Sequence, residues 1–467
     1  MKGKILVSFL CLMLVLNVLP GFISAREQCK NSNFLHCGVN DSYDLLVIAP
    51  GIFVDLLVPF REHKDRFGIN TKIVSLSDIY DGSYFAVSGR DEAEKIKYFI
   101  KNALDEWNIT YVLLVGGRKP GVEEEWYCPV RYINEELWGA PYLSDLYFAD
   151  IYDNDQVFQS WDSNDDDLFG KSIDEMDLYP DVFVGRWACR SLRDVKTVVE
   201  KTLKYENYID HSKKVVLVGG DIFEDSEGFL EGELIPERTA TYLDGYEPIR
   251  VYASQTEVSA HNIKKALDKG ASFLHMDGHC WMTYLSVYKP NNFDQFEPGI
   301  GIWNIPFLSN EEYPIAVVGG CRTAQFNVAV FNRPEQTVEP PLLAKYFPAL
   351  HTLSWGLVRQ PNGGSIASIG YTIPPFFGDG EHGDVDDDGV DEPDILEIGM
   401  GMLEPTVFYA FGVKGKQHLG DCWGYSVSDY IDKFGELGGI WKKWNTATIH
   451  GFVLLGDPSL KIGGYSI

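Results

Sequence analysis

The chain has 467 residues, of which 45% are hydrophobic and 13% aromatic, which is enough apolar material for a large packed core and excludes a disordered polypeptide. It contains 40 Lys and Arg residues against 68 Asp and Glu residues, a formal net charge of −28. Nucleic acids and anionic membranes bind basic patches, so this balance argues against both as partners. Domains commonly have about 150 residues, so the length predicts two or three of them.

The N-terminus has the features of a secretory signal peptide. Two lysines precede the apolar segment 5–18, and Ser24-Ala25 is the expected cleavage point, which assigns residues 1–25 to the signal. An uncleaved anchor is the alternative. No later segment has about 18 uninterrupted apolar residues, so we expect no membrane span. Residues 26–42 are polar and are interpreted as a short exposed lead to a secreted protein.

Residues 43–208 are predicted to form an N-terminal α/β subdomain. Short apolar runs that end at turn residues alternate with amphipathic segments, which indicates buried strands between helices. The predicted order is strand 44–50, helix 53–67, strand 71–76, helix 91–107 and strand 111–115. This alternation implies a mostly parallel sheet with helices on both faces.

Two acidic loops predict structural calcium, a cation that takes six to eight oxygen ligands from a bent loop. In the first loop the ligands would be Asp162, Asn164 and Asp166. In the second they would be Asp384, Asp386 and Asp388, where Gly389 permits a sharp turn and Asp391, Asp394 or Glu397 completes the shell. The alternative for each loop is a solvated acidic turn.

Residues 209–467 are predicted to form a second, similar α/β subdomain that carries the chemistry. The apolar run 272–276 leads to Gly278-His279-Cys280, and the run 315–318 leads to Gly319-Gly320-Cys321. Function collects beyond the carboxyl ends of the strands in an open α/β sheet. We therefore expect His279 and Cys321 to lie side by side, as a base and a nucleophile. His275 lies inside the strand and is expected to be structural.

Cysteine usage bears on the same site. Cys11 lies in the signal peptide, and seven cysteines remain. An odd count in a secreted protein indicates a free thiol or an intermolecular bridge, and we assign the free thiol to Cys321. Cys29 and Cys37 are candidates for a small disulfide loop.

These motifs resemble those of the gingipains and related caspase-like cysteine peptidases, which carry Gly-His after one core strand and Cys after the next. Two further segments match the family, Pro180–Arg186 and Leu454–Leu460, and the resemblance covers roughly residues 43–462. It implies a caspase-like α/β/α sandwich. It also implies a secreted cysteine endopeptidase that cleaves protein or peptide substrates through a thioester intermediate, with Cys321 as nucleophile and His279 as base.

The resemblance also implies roles for neighbouring residues. The backbone N–H groups of Cys321 and Cys280 would form the oxyanion hole, although the family usually has glycine where this chain has Cys280. Asp221 would orient the base, and capping of the next turn is the alternative. Glu233 would hold a basic substrate side chain before the scissile bond, and a solvated charge at a helix start is the alternative.

Cys280 supports a rival interpretation. A side chain there is strained if the backbone has positive φ, and a Cys280–Cys321 disulfide would silence the site. The rival is a catalytically inactive, secreted binding or structural module of the same fold. A transpeptidase or ligase would use the same thioester, and the sequence does not separate it from a hydrolase.

Overall fold

The computed structural model describes residues 42–121, 123–135, 141–224, 228–328, 351–378, 382–386, 389–435 and 439–465. The predicted signal peptide and Cys29 and Cys37 lie outside these ranges. No helix within them is long and apolar enough to cross a bilayer.

The first half of the chain builds a four-stranded parallel sheet, in the order β2-β1-β3-β6. Its strands β1 and β3 are buried along their whole length, as expected for apolar runs covered on both faces. The elements are β1 (Leu45–Ala49), α1 (Gly51–Arg66), β2 (Thr71–Ser75), α2 (Leu76–Tyr80), α3 (Glu92–Trp107), β3 (Tyr111–Val115), β4 (Tyr132–Ile133), β5 (Tyr142–Leu143), β6 (Phe183–Trp187) and α4 (Leu192–Glu206).

The second half builds a six-stranded sheet. Its elements are β7 (Lys214–Gly219), α5 (Glu231–Tyr242), β8 (Glu247–Tyr252), α6 (Ala260–Leu267), β9 (Phe273–Met276), β10 (His279–Trp281), β11 (Tyr284–Lys289), β12 (Asn292–Gly301), β13 (Ile315–Val318), α7 (Leu353–Arg359), β14 (Ala367–Tyr371), β15 (His382–Gly383), β16 (Glu392–Pro393), α8 (Asp394–Glu397), α9 (Met400–Gly412), α10 (Leu419–Phe434), α11 (Gly439–Gly451) and β17 (Phe452–Leu455). The strand order is β17-β14-β13-β9-β7-β8, and all pairs are parallel except β14 with β17.

This architecture confirms the predicted caspase-like α/β/α fold with mostly parallel sheets. Among the components that the sequence analysis missed is a separate antiparallel sheet, β10-β11-β12. His279, predicted just beyond the end of β9, is the first residue of this sheet. Residues 207–213 link α4 to β7, which is where the sequence analysis divided the subdomains.

The two sheets adjoin along β6 and β17. A Cβ on Gly185 of β6 would lie 2.4 Å from the carbonyl oxygen of Gly456, which directly follows β17. Only glycine permits this approach between the two backbones. On the same strand, the buried guanidinium of Arg186 donates to both oxygens of Asp145 at 2.7 and 2.8 Å. The two segments that carry the family resemblance therefore meet where the two sheets adjoin.

Candidate active site

The two reactive motifs lie at the same edge of the six-stranded sheet. Strands β9 and β13 are parallel neighbours, with Met276 opposite Val318. Gly320 has a φ of +87°, and a Cβ there would lie 2.4 Å from the carbonyl oxygen of Gly278 and 2.8 Å from the Cβ of Cys280. The turn that carries Cys321 thus packs directly against the backbone on both sides of His279.

The imidazole of His279 is held in one orientation. Its Nε2 lies 2.8 Å from the main-chain carbonyl oxygen of Ile222. Because a carbonyl oxygen only accepts hydrogen bonds, Nε2 carries the proton in the neutral ring and Nδ1 keeps its lone pair. Burial lowers the pKa of His279, and the bond to Ile222 opposes that shift. The ring is therefore neutral at neutral pH and able to accept a proton at Nδ1.

Asp221, the carboxylate predicted to orient this ring, makes a hydrogen bond to another residue. Asp221 accepts the amide of Asn291 at 2.7 Å, and its backbone pairs with Tyr288. Within the described ranges, the side-chain hydrogen bond of His279 goes to Ile222, the residue after Asp221. Glu231 supports this segment, because its Oε2 accepts the amides of Ile222 and Phe223 at 3.2 and 3.4 Å. A main-chain acceptor leaves no signature in the sequence.

Cys321 is partly exposed, and its thiol is free. Burial raises the pKa of this thiol to about 11; Arg322 beside it lowers the value and Asp277 raises it further. The group is therefore a neutral thiol at neutral pH. The predicted oxyanion donor Cys280 lies close by, because a Cβ on Gly320 would be 3.0 Å from the Cys280 amide nitrogen.

The structure shows neither backbone strain at Cys280 nor a disulfide between Cys280 and Cys321, the two features that would have impaired the site. Cys280 lies in the extended strand β10 opposite Leu285, and it is not among the described residues with positive φ. Its thiol and that of Cys321 are both free, so no disulfide blocks the site. The cysteine count, however, did not single out Cys321. All five described cysteines are free, namely Cys128, Cys189, Cys280, Cys321 and Cys422.

Glu233 lies in the first turn of α5, close to the sheet edge at which the His279 and Cys321 motifs lie. Its neighbour Gly232 packs there, since a Cβ on Gly232 would be 3.2 Å from the carbonyl oxygen of Asp277. The Glu233 carboxylate accepts from the amide of Ser254 at 2.9 Å and from its hydroxyl at 2.6 Å. Burial raises the pKa of Glu233, these two hydrogen bonds oppose the shift, and Asp221 and Glu237 add to it.

Aromatic rings that the sequence analysis did not single out surround His279. The ring centroids of Phe223, Tyr288 and Phe296 lie 5.3, 5.7 and 5.1 Å from that of the imidazole. Phe223 stacks on Phe377 and Tyr288 stacks on Phe296. Phe296 is 38% exposed, so this cluster offers an apolar surface beside the imidazole. These residues come from three separate segments, and only the fold brings them together.

Basic side chains pair with carboxylates in both acidic loops. In the first, Arg90 donates to Asp162 at 2.6 Å and Lys171 donates to Asp166 at 2.7 Å. Asn164 donates to Asp166 at 3.3 Å. Arg90 and Lys171 thus bring positive charge to the first loop, where calcium stays a prediction.

In the second loop, Asp384, Asp386 and Glu397 each place an oxygen within 4.8 Å of the others. Glu397 is 1% exposed, and its Oε1 has no hydrogen-bond partner within the described ranges. Lys433 approaches Asp386 at 2.5 Å. Asp388 lies outside the described residues.

Comparison with known proteins places the chain in a family. The model of peptidase family C25 matches residues 39–463. The chain belongs to this family. It is 23% identical over 252 residues to Gingipain R2 of Porphyromonas gingivalis, covering 50% of this chain and 27% of that protein. It is 23% identical over 281 residues to Gingipain R1 of the same organism, covering 56% and 22%. It therefore spans about a quarter of the length of these curated relatives.

Solved structures show the same fold. The crystal structure of the Arg-specific cysteine proteinase gingipain R matches with a TM-score of 0.59 and 18% identity, over 92% of this chain and 80% of that one. The complex of the RgpB pro- and mature domains from Porphyromonas gingivalis matches with a TM-score of 0.58 and 18% identity, over 90% and 79%. Family membership makes the chain a relative of cysteine peptidases.

Proposed function

We propose that this chain is a secreted cysteine endopeptidase that uses Cys321 as nucleophile and His279 as base. The observation that supports this most strongly is the packing of the Gly319–Cys321 turn against Gly278–Cys280 at the carboxyl ends of two adjacent parallel strands. Family membership supports the peptidase activity. Secretion rests on the signal-like segment 1–25 and on the similarity to gingipains.

In the proposed reaction, Cys321 Sγ attacks the carbonyl carbon of the scissile peptide bond while its proton passes to Nδ1 of His279. The developing oxyanion is stabilised by backbone N–H groups, for which Cys321 and Cys280 are the candidates. The imidazolium then protonates the leaving amine as the C–N bond breaks, which leaves a thioester on Cys321. Water, deprotonated by the neutral imidazole, hydrolyses the thioester and regenerates the thiol.

Glu233 is the candidate for substrate selection. Each of its oxygens accepts one hydrogen bond from Ser254, and a carboxylate oxygen has a further lone pair for a substrate cation. Asp221 and Glu237 add negative charge nearby. We therefore propose Arg or Lys before the scissile bond, held by a charge-assisted hydrogen bond.

Calcium is proposed at the second acidic loop. Asp384, Asp386 and Glu397 supply oxygen ligands. Oε1 of the buried Glu397 has no hydrogen-bond partner in the part of the chain that the structure describes, and this is the specific reason to expect a cation there. The loop continues through α8 into α9, so an ion there would stabilise the segment that packs on α5. Its expected role is structural.

The deciding experiment compares single variants on a peptide that the wild-type protein cleaves. Cys321→Ala and His279→Ala should each abolish cleavage while the protein still folds. Cys422→Ala is the matched control, because it removes a buried free thiol on α10 and should leave cleavage intact. Cleavage by the Cys321→Ala protein would refute the assignment. Loss of activity in all three variants would indicate a folding defect instead.

A further inference from the structure

Two buried carboxyl groups lie beneath the turn that carries Cys321, and the reaction above uses neither. Asp277 and Glu404 are both 0% exposed. A Cβ added to Gly319 would lie 2.6 and 2.8 Å from the two Glu404 oxygens and 2.8 Å from Oδ1 of Asp277. Asp277 directly follows β9, whereas Glu404 belongs to α9. The two acids therefore meet at the residue two positions before the nucleophile.

The hydrogen bonds around this pair are incomplete. Asp277 Oδ1 accepts the amide of Gly278 at 2.6 Å, but Asp277 Oδ2 has no hydrogen-bond partner within the described ranges. Glu404 Oε2 lies 2.9 Å from Nε2 of His275, whose Nδ1 lies 2.8 Å from the hydroxyl of Thr239. A buried carboxyl oxygen without a donor is costly. A proton held between the two acids would supply that donor.

The electrostatics agree with a retained proton. Burial raises the pKa of Asp277 to about 7; the Gly278 amide opposes the shift and Glu231 adds to it. Burial and the nearby Asp277 raise the pKa of Glu404 well above its usual range. Burial lowers the pKa of His275 to about 3, so this imidazole stays neutral and does not compensate the acids. Two adjacent buried carboxylates cannot both ionise readily.

We propose that Asp277 and Glu404 are positioning residues that retain at least one proton between them through the neutral pH range, and that the retained proton holds the Gly319–Gly320 turn where it presents Cys321. The inference rests on the proposed function, in which Cys321 is the nucleophile. Neither acid touches the substrate. They act through the turn and through the charge that they place beside the thiol.

Other titratable groups face the pair from every element packed on it. They are Glu231 on α5, His275 on β9, Cys280 on β10, Cys321 and Arg322 in the turn after β13, and Tyr371 on β14. The thiols and the tyrosine titrate well above neutral pH, because burial raises their pKa values. Asp277 is thus the member expected to change charge near pH 7.

This arrangement makes the reactivity of Cys321 depend on the charge of Asp277. A negative Asp277 opposes formation of the thiolate. Asp277→Asn removes that charge and keeps an oxygen for the Gly278 amide. Glu404→Gln removes the competing acid and offers an amide donor to Asp277, so Asp277 ionises at lower pH. The two substitutions should therefore change the reactivity of Cys321 in opposite directions.

The test measures iodoacetamide labelling of Cys321 by peptide mass spectrometry between pH 5.5 and 9.5. All proteins carry His279→Ala, which removes the titration of that imidazole. In the protein that keeps both Asp277 and Glu404, the labelling rate of Cys321 should rise less steeply with pH around pH 7 than on either side of it. Suppose that the charge of Asp277 changes the pKa of the Cys321 thiol by about one unit. Relative to the protein with both acids, labelling should then be up to about tenfold faster in Asp277→Asn above pH 7 and up to about tenfold slower in Glu404→Gln below pH 7.

Glu200→Gln is the control, because this α4 carboxylate pairs with Lys196 and both side chains are two-thirds exposed, so the profile should be unchanged. Parallel profiles for all proteins, or a shift of both variants in the same direction, would overturn the proposal. If Asp277→Asn does not fold, infrared spectroscopy decides. The protonated-carboxyl band expected at pH 8 should disappear in Glu404→Gln, and its absence before substitution would also overturn the proposal. Labelling needs no peptidase activity, so a failure here is distinct from a failure of the proposed function.

Discussion

A buried ion cluster connects the two halves of the chain and provides a quantitative test of the fold. Lys64 on α1 is 0% exposed. Its ammonium lies 2.7 Å from Glu206 at the end of α4 and 2.7 Å from Asp457, which follows β17, and it donates to the carbonyl oxygen of Ser459 at 3.1 Å. The Gly456-Asp457-Pro458 segment, recognised in the sequence only as a family motif, thus neutralises a buried cation of the other subdomain.

Replacing Lys64 by Met keeps most of the stem and removes the charge. Glu206 and Asp457 would then be buried carboxylates without their ammonium partner. Burial alone would raise the pKa of Glu206, but Lys64 and His63 hold it below its usual value. Removing one partner of a buried ion pair costs about 3–5 kcal/mol. That is a large part of the roughly 5–15 kcal/mol by which native proteins are stable.

Urea denaturation measures this loss through the unfolding midpoint. Lys196→Met is the matched control, because its pair with Glu200 is two-thirds exposed and should contribute less than about 1 kcal/mol. Adding Glu206→Gln and Asp457→Asn to Lys64→Met should recover part of the loss, since the uncompensated charges are removed. A Lys64→Met protein as stable as the Lys196→Met protein would refute this reasoning.

Four further results are expected. EGTA should lower the melting temperature, because a ligand of the native state stabilises it; Asp384→Asn should abolish the EGTA effect, whereas Asp166→Asn should not. Glu233→Gln should reduce a preference for Arg or Lys over apolar residues by about ten- to a hundredfold in kcat/KM, the equivalent of a charge-assisted hydrogen bond, and unchanged selectivity would move the pocket elsewhere. Because the pKa of His279 is lowered, its neutral form persists at pH values below the ordinary histidine range. The value of kcat/KM should therefore fall only below about pH 6.5. A fall centred above that pH would contradict the environment described for the ring. Phe296→Ala should raise KM more than it lowers kcat if the exposed ring contacts substrate, and unchanged kinetics would exclude that contact.

The sequence predicted the regular elements because their signals are local. The apolar run 111–115 is β3 without a change of boundary, and the amphipathic segment 91–107 differs from α3 by one residue. In α3 the side chain of Asp91 caps the helix by accepting the amide of Glu94 at 2.8 Å. The pairing of β9 with β13 followed from the rule that parallel strands present their carboxyl ends together.

The parts that escaped prediction depend on contacts between distant segments. His279 was expected just beyond the end of a buried strand, and it begins a further strand that pairs with the hairpin β11–β12, up to 22 positions further along the chain. The acid pair joins Asp277 to Glu404, which is 127 positions away and lies in a helix that carried no motif. The apolar sequence around Glu404 predicts only a buried helix. Only the folded structure shows that the carboxyl group of Glu404 lies against Gly319.

The hydrogen bond from His279 to a carbonyl, rather than to the predicted Asp221, bears on the order of proton transfer. A carbonyl dipole orients the ring, but it stabilises an imidazolium less than a carboxylate would. Burial raises the pKa of the Cys321 thiol to about 11 and lowers the pKa of the His279 imidazole. Both shifts favour the neutral thiol and the neutral imidazole over an ion pair in the free protein. If Cys321 is the nucleophile, as proposed, we therefore expect its proton to leave as the sulfur attacks the substrate.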